Sequence, residues 1–358
     1  MKIFAVEHLL DWLLIFVPIA IVLELTHARA VFIFAASCLA IVPLAGLMGK
    51  ATEHLAERTG EGLGGLLTST FGNAAELIIA LVALRRGLID VVKASLTGSI
   101  IGNLLLVLGA SVLVGGLRHG TQTFSRQIAS SNAALLVVAL VGLFVPAVFA
   151  FTSGSSQGTV TEESVLVSVA LMIGYGLSLA YSFTNPSATL GGHGEPAGHA
   201  GPAWTARVAI VVLVGSAALL ALLSEILVGS IEGFIEQFGL SQFFVGVVLI
   251  PTIGNLAEHL VAVQLAYKNK MEFAMAVAYG SSLQVALFVA PILVLIGVVI
   301  GQPMDLVFTP LEVAAVGAAV GISALIALDG ESNWLEGALL MIVYAILAVS
   351  FFEFQQPV

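Results

Sequence analysis

Charge is what this sequence has least of: Asp, Glu, Lys and Arg make up 9% of its 358 residues, while 59% are hydrophobic. Soluble domains carry about 25% charged residues, so most of this chain is unsuited to water. The mean hydropathy of +1.09 points the same way. The one cysteine, Cys38, stands in an apolar run, which excludes a disulfide framework and a cysteine-held zinc cluster. No His-Glu-x-x-His pattern or nucleophile constellation occurs, so a membrane-embedded enzyme would lack its machinery and no cofactor is expected. The net charge of −10 argues against a nucleic-acid partner.

What the sequence does have is a succession of apolar runs of about 20 residues, the length that crosses a hydrocarbon core of ~30 Å. They predict helices over 9–25, 31–49, 65–85, 91–117, 126–150, 163–183, 205–229, 241–267, 273–300, 308–328 and 334–354. The expected fold class is an all-α polytopic membrane protein of about eleven transmembrane helices in a lipid bilayer. The first run follows Lys2 but has no small-residue cleavage site behind it, so it reads as a retained helix. With the N-terminus in the cytosol, Lys2, Lys50, Arg58, Arg118, Arg126, Arg207, Lys268 and Lys270 lie inside, and Arg29, Arg85, Arg86 and Lys93 outside. That imbalance favours a cytosolic N-terminus and a C-terminus on the opposite side.

An internal repeat organises the chain. Phe71-Gly72-Asn73-Ala74-Ala75-Glu76 returns 182 positions later as Ile253-Gly254-Asn255-Leu256-Ala257-Glu258, and Gly98-Ser99 returns as Gly280-Ser281 at the same displacement. Further on, Met172-Ile173-x-Tyr175 resembles Met341-Ile342-x-Tyr344. The expected organisation is a leading helix in 1–30, a five-helix repeat in 31–183, a cytosolic Gly/Pro-rich linker in 184–204 and a second five-helix repeat in 205–358. An odd number of spans per repeat inverts the second relative to the first, the build of many secondary transporters, whose site lies at the midplane.

Burying a carboxylate near the centre of a span costs a few kcal/mol unless it is paired, hydrated or protonated. Here the chain does so twice, at repeat-related positions. Residues three and four apart share a helix face, so Thr68 or Ser69, Gly72, Asn73 and Glu76 line one strip, and Pro251, Gly254, Asn255 and Glu258 another. Pro251 and the glycines weaken the helical ladder and can free carbonyls toward a cavity. The partner helices add neutral oxygens: Ser99 and Asn103 in one half, Ser281, Ser282 and Gln284 in the other. Close small-residue packing accounts for one such motif, but not readily for two in register. Carboxylates, amide oxygens and carbonyls are what a hard cation such as Ca²⁺ takes.

These residues carry a resemblance. Gly72-Asn73-Ala74-Ala75-Glu76 with Gly98-Ser99-Ile100-Ile101-Gly102-Asn103, and Gly254-Asn255-Leu256-Ala257-Glu258-His259 with Gly280-Ser281-Ser282-Leu283-Gln284, make the chain similar to the Ca²⁺/H⁺ exchangers of the calcium/cation antiporter superfamily over about 31–354. The resemblance implies an antiporter with Ca²⁺ and H⁺ as substrates. Glu76 and Glu258 would hold calcium, with Asn73, Asn255, Ser99, Ser281, Gln284 and the carbonyls around Gly72 and Gly254 completing its shell. The chain departs from the family pattern at Thr68-Ser69, where the family usually has Asn-Ala; this bears on affinity or cytosolic access. The related sodium/calcium exchangers carry further acids on the partner helices, where this chain has the neutral Asn103 and Gln284. Two carboxylates in a low dielectric resist being ionised together. One Ca²⁺ or two protons would neutralise them, and the two occupancies exclude each other.

Other polar residues read less sharply. Glu225, in an apolar run, is a candidate for a proton pathway, and Glu24 reads as interfacial. His259 is either a proton relay or a packing residue. Gly60-Glu61-Gly62-Leu63-Gly64-Gly65 has no strand before it, so it marks a helix start or hinge rather than a nucleotide loop. His193 and His199 read as part of a solvated linker rather than a metal site. A cation channel remains a rival, since paired acids also build selectivity rings. A homo-oligomer stays open.

Overall fold

A chain in lipid must satisfy each backbone N–H and C=O internally, and helices do so within one segment. The computed structural model describes residues 12–154, 156–184 and 204–354, and these are helical almost throughout. In chain order they form α1 (Phe16–Leu25), α2 (Ala30–Phe71), α3 (Ala74–Arg85), α4 (Ile89–Ile101), α5 (Leu108–His119), α6 (Arg126–Ser153), α7 (Gln157–Thr184) and α8 (Ala206–Phe238). Then follow α9 (Gln242–Phe244), α10 (Ile250–Gly254), α11 (Leu256–Tyr267), α12 (Met271–Gln284), α13 (Ala290–Val299), α14 (Pro310–Ile326) and α15 (Trp334–Glu353). Wider π-helical turns join α4 to α5 at Gly102–Val107, α9 to α10 at Val245–Leu249 and α12 to α13 at Val285–Val289.

Seven helices among the described residues are long and apolar enough to cross a membrane, or eight if the bent pair Gln242–Gly254 and Leu256–Tyr267 is one span. The protein is an integral, multi-pass, helical membrane protein. Its outward faces are apolar: Leu335, Leu339, Ile342, Ile346 and Val349 of α15 lie exposed at helical spacing, as do Val137, Val141, Phe144 and Val148 of α6. Water would penalise such stripes, whereas lipid does not.

The elements differ from the expected spans in several ways. The predicted helices 31–49 and 65–85 are not separated by a loop: α2 runs unbroken from Ala30 to Phe71. The intervening residues are polar but include good helix formers such as Ala, Glu, Leu and Arg, and loss of hydropathy there ends the apolar run without ending the helix. The Gly60–Gly65 stretch is accordingly backbone helix, not the start of one. The predicted helix 241–267 is bent by 62° at its break. The linker 184–204, with His193 and His199, lies outside the described residues except at its two ends.

The chain forms two compact units, each drawing on both halves of the sequence. The first comprises the described residues of 1–95, 196–260 and 351–358. Its centre is the packing of α2 on α8, where Phe34 and Phe234 stack with centroids 4.0 Å apart. Gly233 permits this approach, because a Cβ there would sit 2.6 Å from Ala30 Cβ. The second comprises the described residues of 96–195 and 261–350. In it α5 and α15 approach backbone to backbone: a Cβ at Gly109 would lie 2.9 Å from Leu340 Cβ, and one at Gly337 2.6 Å from the Gly109 carbonyl oxygen. Two short strands, β1 (Gln122–Thr123) and β2 (Glu331–Ser332), pair antiparallel, with Gln122 opposite Ser332.

Candidate cation site

Both glutamate motifs break their helices at the same residue. α2 gives way to α3 at Asn73, with φ −100° and ψ 27°, and α10 gives way to α11 at Asn255, with φ −101° and ψ 1°. Asn competes with the helical ladder through its own side chain, so it is at home at such a junction. Each break puts a glutamate into the first turn of the helix that follows: Glu76 in α3 and Glu258 in α11. A helix N-terminus carries partial positive charge and stabilises a nearby carboxylate by about 0.3–1 kcal/mol, up to ~2 in buried geometries.

That contribution falls short of the few kcal/mol that a carboxylate in the membrane costs, and the local geometry leaves the deficit open. Glu76 Oε1 is enclosed and has no hydrogen-bond partner among the described residues. Gly254 of the second motif lies against the first: a Cβ there would sit 3.7 Å from Glu76 Cγ and 3.9 Å from Ile79 Cδ1. Glu76 also feels the charge of Glu258. Two carboxylates, an enclosed acceptor without a donor and a backbone free of side chain converge within the first unit. A cation or protons are what would complete this arrangement. Among the described residues no cluster of three or more His, Cys, Asp or Glu exists.

The other predicted residues fall as follows. Gly72 caps α2, its N–H donating to the Thr68 carbonyl at 2.8 Å. Asn73 and Asn255 are buried, at 3% and 2% exposure. Ser99, Asn103, Ser281, Ser282 and Gln284 belong to the second unit, where all five are buried on α4, the π turn after it and α12. Asn103 Nδ2 donates to Ser281 Oγ at 3.0 Å, joining the two Gly-Ser partner segments directly. The π turns begin at Gly102 and Val285, beside Asn103 and Gln284, 183 positions apart; such turns recur at functional sites. Thr68 bonds within its own helix, Oγ1 donating to the Gly64 carbonyl at 3.1 Å. His259 is buried beside the break.

Glu225 is in an ion pair: Arg86 donates to its Oε2 from Nε at 3.0 Å and Nη2 at 2.8 Å. Nothing local signals this pairing, since the two residues are 139 positions apart. The π turns carry no local sequence pattern that sets them apart from the apolar helices they join.

A family model described as "Sodium/calcium exchanger protein" matches residues 29–184 and 208–352. The chain belongs to this family. Among curated members it is 44% identical over 359 residues to a "Ca(2+)/H(+) antiporter" of Aphanothece halophytica, covering 95% of each chain. It is 45% identical over 361 residues to a "Ca(2+)/H(+) antiporter" of Synechocystis sp., covering 95% of this chain and 96% of that one. The solved "Structure of native YfkE" superposes with a TM-score of 0.84 at 39% identity, over 97% of this chain and 100% of the other. In this exchanger family member, both glutamate breaks and both π turns after the Gly-Ser motifs fall within the matched segments.

Proposed function

We propose that this protein exchanges Ca²⁺ for H⁺ across a membrane, with Glu76 and Glu258 binding either one calcium ion or protons. The observation that carries the reading is the enclosed, partnerless Glu76 oxygen beside Gly254 and within the field of Glu258. Two carboxylates match the charge of one divalent ion, and protons and calcium then compete for the same oxygens. The names of relatives at 44% and 45% identity support the substrate pair. Asn73, Asn255, Ser99, Ser281, Gln284 and carbonyls near Gly72 and Gly254 complete the calcium shell; for Ser99, Ser281 and Gln284 this rests on the sequence pattern and the family resemblance. Glu225 and His259 remain candidates for the proton pathway, Glu225 as one partner of an ion pair that a passing proton would have to disturb.

The wider architecture in this reading is one leading helix and two inverted five-helix repeats, eleven spans in all, with the N-terminus in the cytosol. Matching breaks at Asn73 and Asn255 support the repeat. Inversion gives alternating access, one helix group moving against the other so that the site opens to each side in turn.

Replacing Glu76 or Glu258 by Gln tests the site. Each variant keeps its shape and loses a buried charge, so it should stay folded, with thermal stability equal or higher, while calcium–proton exchange in vesicles disappears. Robust exchange by either single variant would rule out a two-carboxylate site. An imposed sodium gradient at fixed pH should drive no comparable calcium efflux, because Asn103 and Gln284 offer no further charge. Efflux at the proton-driven rate would assign sodium as the counter-ion.

A further inference from the structure

Helix α14 carries a buried carboxylate that exchange, as read above, does not use. Glu312 is 2% exposed. Its Oε2 accepts from the Thr309 N–H at 2.8 Å, completing a capping box with Thr309 Oγ1. Capping explains that oxygen but not the other: Oε1 accepts from Thr97 Oγ1 at 3.0 Å, a bond across 215 positions. Thr97 stands directly before Gly98-Ser99. The position 182 residues on is Tyr279, directly before Gly280-Ser281, and it too is tied to α14, its hydroxyl donating to the Ser323 carbonyl at 2.7 Å. Both donors are buried, Thr97 at 1% and Tyr279 at 0% exposure. Glu312 and Ser323 are eleven residues apart, about 16 Å along the helix axis. The Asn103–Ser281 bond then links the two Gly-Ser segments to each other. All of these bonds lie inside the second unit.

We propose that Thr97, Glu312 and Tyr279 are positioning residues for exchange: α14 acts as a strut gripping the two Gly-Ser helices at repeat-related points. It thereby fixes where Ser99 on one helix and Ser281 and Gln284 on the other present their oxygens. The chemistry differs at the two ends, a carboxylate taking a threonine hydroxyl and a backbone carbonyl taking a tyrosine hydroxyl, but the grip is the same. A strut of this kind acts on calcium affinity, because ligand oxygens held at fixed spacing need no ordering when the ion arrives. The proposal rests on the reading that these neutral oxygens ligate calcium.

Thr97→Val and Tyr279→Phe each remove one hydroxyl at nearly constant volume, and Thr97→Ser restores the first. Thr97→Val leaves a carboxylate oxygen without its donor and risks misfolding. Tyr279→Phe does not, since the Ser323 carbonyl keeps its helical bond from the Ala327 N–H at 3.1 Å. Initial rates of calcium uptake into vesicles, at a fixed pH gradient and varied calcium, should show KM raised roughly fivefold in each, the equivalent of one net hydrogen bond of about 1 kcal/mol. The maximal rate should change far less, and Thr97→Ser should return KM to the wild-type value. An unchanged calcium KM in Tyr279→Phe, with or without a lowered melting temperature in detergent, would mean that the hydroxyl serves stability alone and would overturn the strut. Failure of Thr97→Ser to rescue would do the same. A working wild type beside unaffected variants rejects this proposal alone, whereas a wild type without calcium–proton exchange rejects the underlying reading and this proposal with it.

Discussion

Glu76 is an enclosed carboxylate on an apolar helix, and the fold around it supplies only part of what would stabilise its charge. The N-terminus of α3 offers ~2 kcal/mol at most, its Oε1 finds no donor, and Glu258 adds repulsion. In the proposed reading calcium or protons neutralise the pair, and each occupancy excludes the other. Calcium KM should therefore rise as pH falls, since protons occupy the oxygens that calcium needs, and it should flatten at high pH, where no proton remains to be displaced. Uptake measured over a pH series at constant gradient checks this; a KM independent of pH would break the link between the two occupancies. At this scale the sequence was informative where the repeat spoke. Glu76, Glu258 and the two Asn residues stand out because the same words occur twice. The Glu312–Thr97 and Arg86–Glu225 pairs did not, because partners 215 and 139 positions apart leave no local pattern. The capping box at Thr309-Pro310-Leu311-Glu312 was readable in principle, but not the second bond that its glutamate makes.

The helices show what hydropathy can and cannot delimit. The C-terminal span 334–354 matches α15, Trp334–Glu353, because both ends coincide with loss of apolar character. α2 overruns its apolar run because helix propensity outlasts hydropathy, and the breaks at Asn73 and Asn255 fall inside apolar segments where hydropathy gives no signal. Close packing is equally hidden until a neighbour is known. Gly233 reads as an ordinary small residue, yet a Cβ there would meet Ala30 at 2.6 Å. Gly233→Leu should therefore destabilise the α2–α8 pairing by roughly 1–3 kcal/mol through overpacking. Thermal unfolding of the detergent-purified protein would register this as a lower midpoint. Gly215, on the same helix with nothing within 4 Å of an added Cβ, is the control and should tolerate the change.

For the molecule as a whole, the proposed inverted repeat makes a directional claim. Thr68 precedes Glu76 and Thr252 precedes Glu258, on helices that run in opposite senses in this reading, so the two positions should meet water from opposite sides. Both hydroxyls bond the carbonyl four residues back, at 3.1 Å and 2.6 Å, a local contact whose loss to cysteine costs little. With Cys38 first changed to Ala, a cysteine replacing Thr68 should react with an impermeant thiol reagent mainly in the inward-open state. One replacing Thr252 should react mainly in the outward-open state. Parallel responses to shifts in calcium and pH would contradict inversion. The most direct measurement of all is calcium uptake into sealed, sodium-free vesicles containing the purified protein, driven only by a pH step. Uptake should follow the sign of the step, reverse when the step is reversed, and acidify or alkalinise the lumen in the matching direction. Calcium flux that ignores the pH step, or that appears only when sodium is added, would contradict calcium–proton exchange.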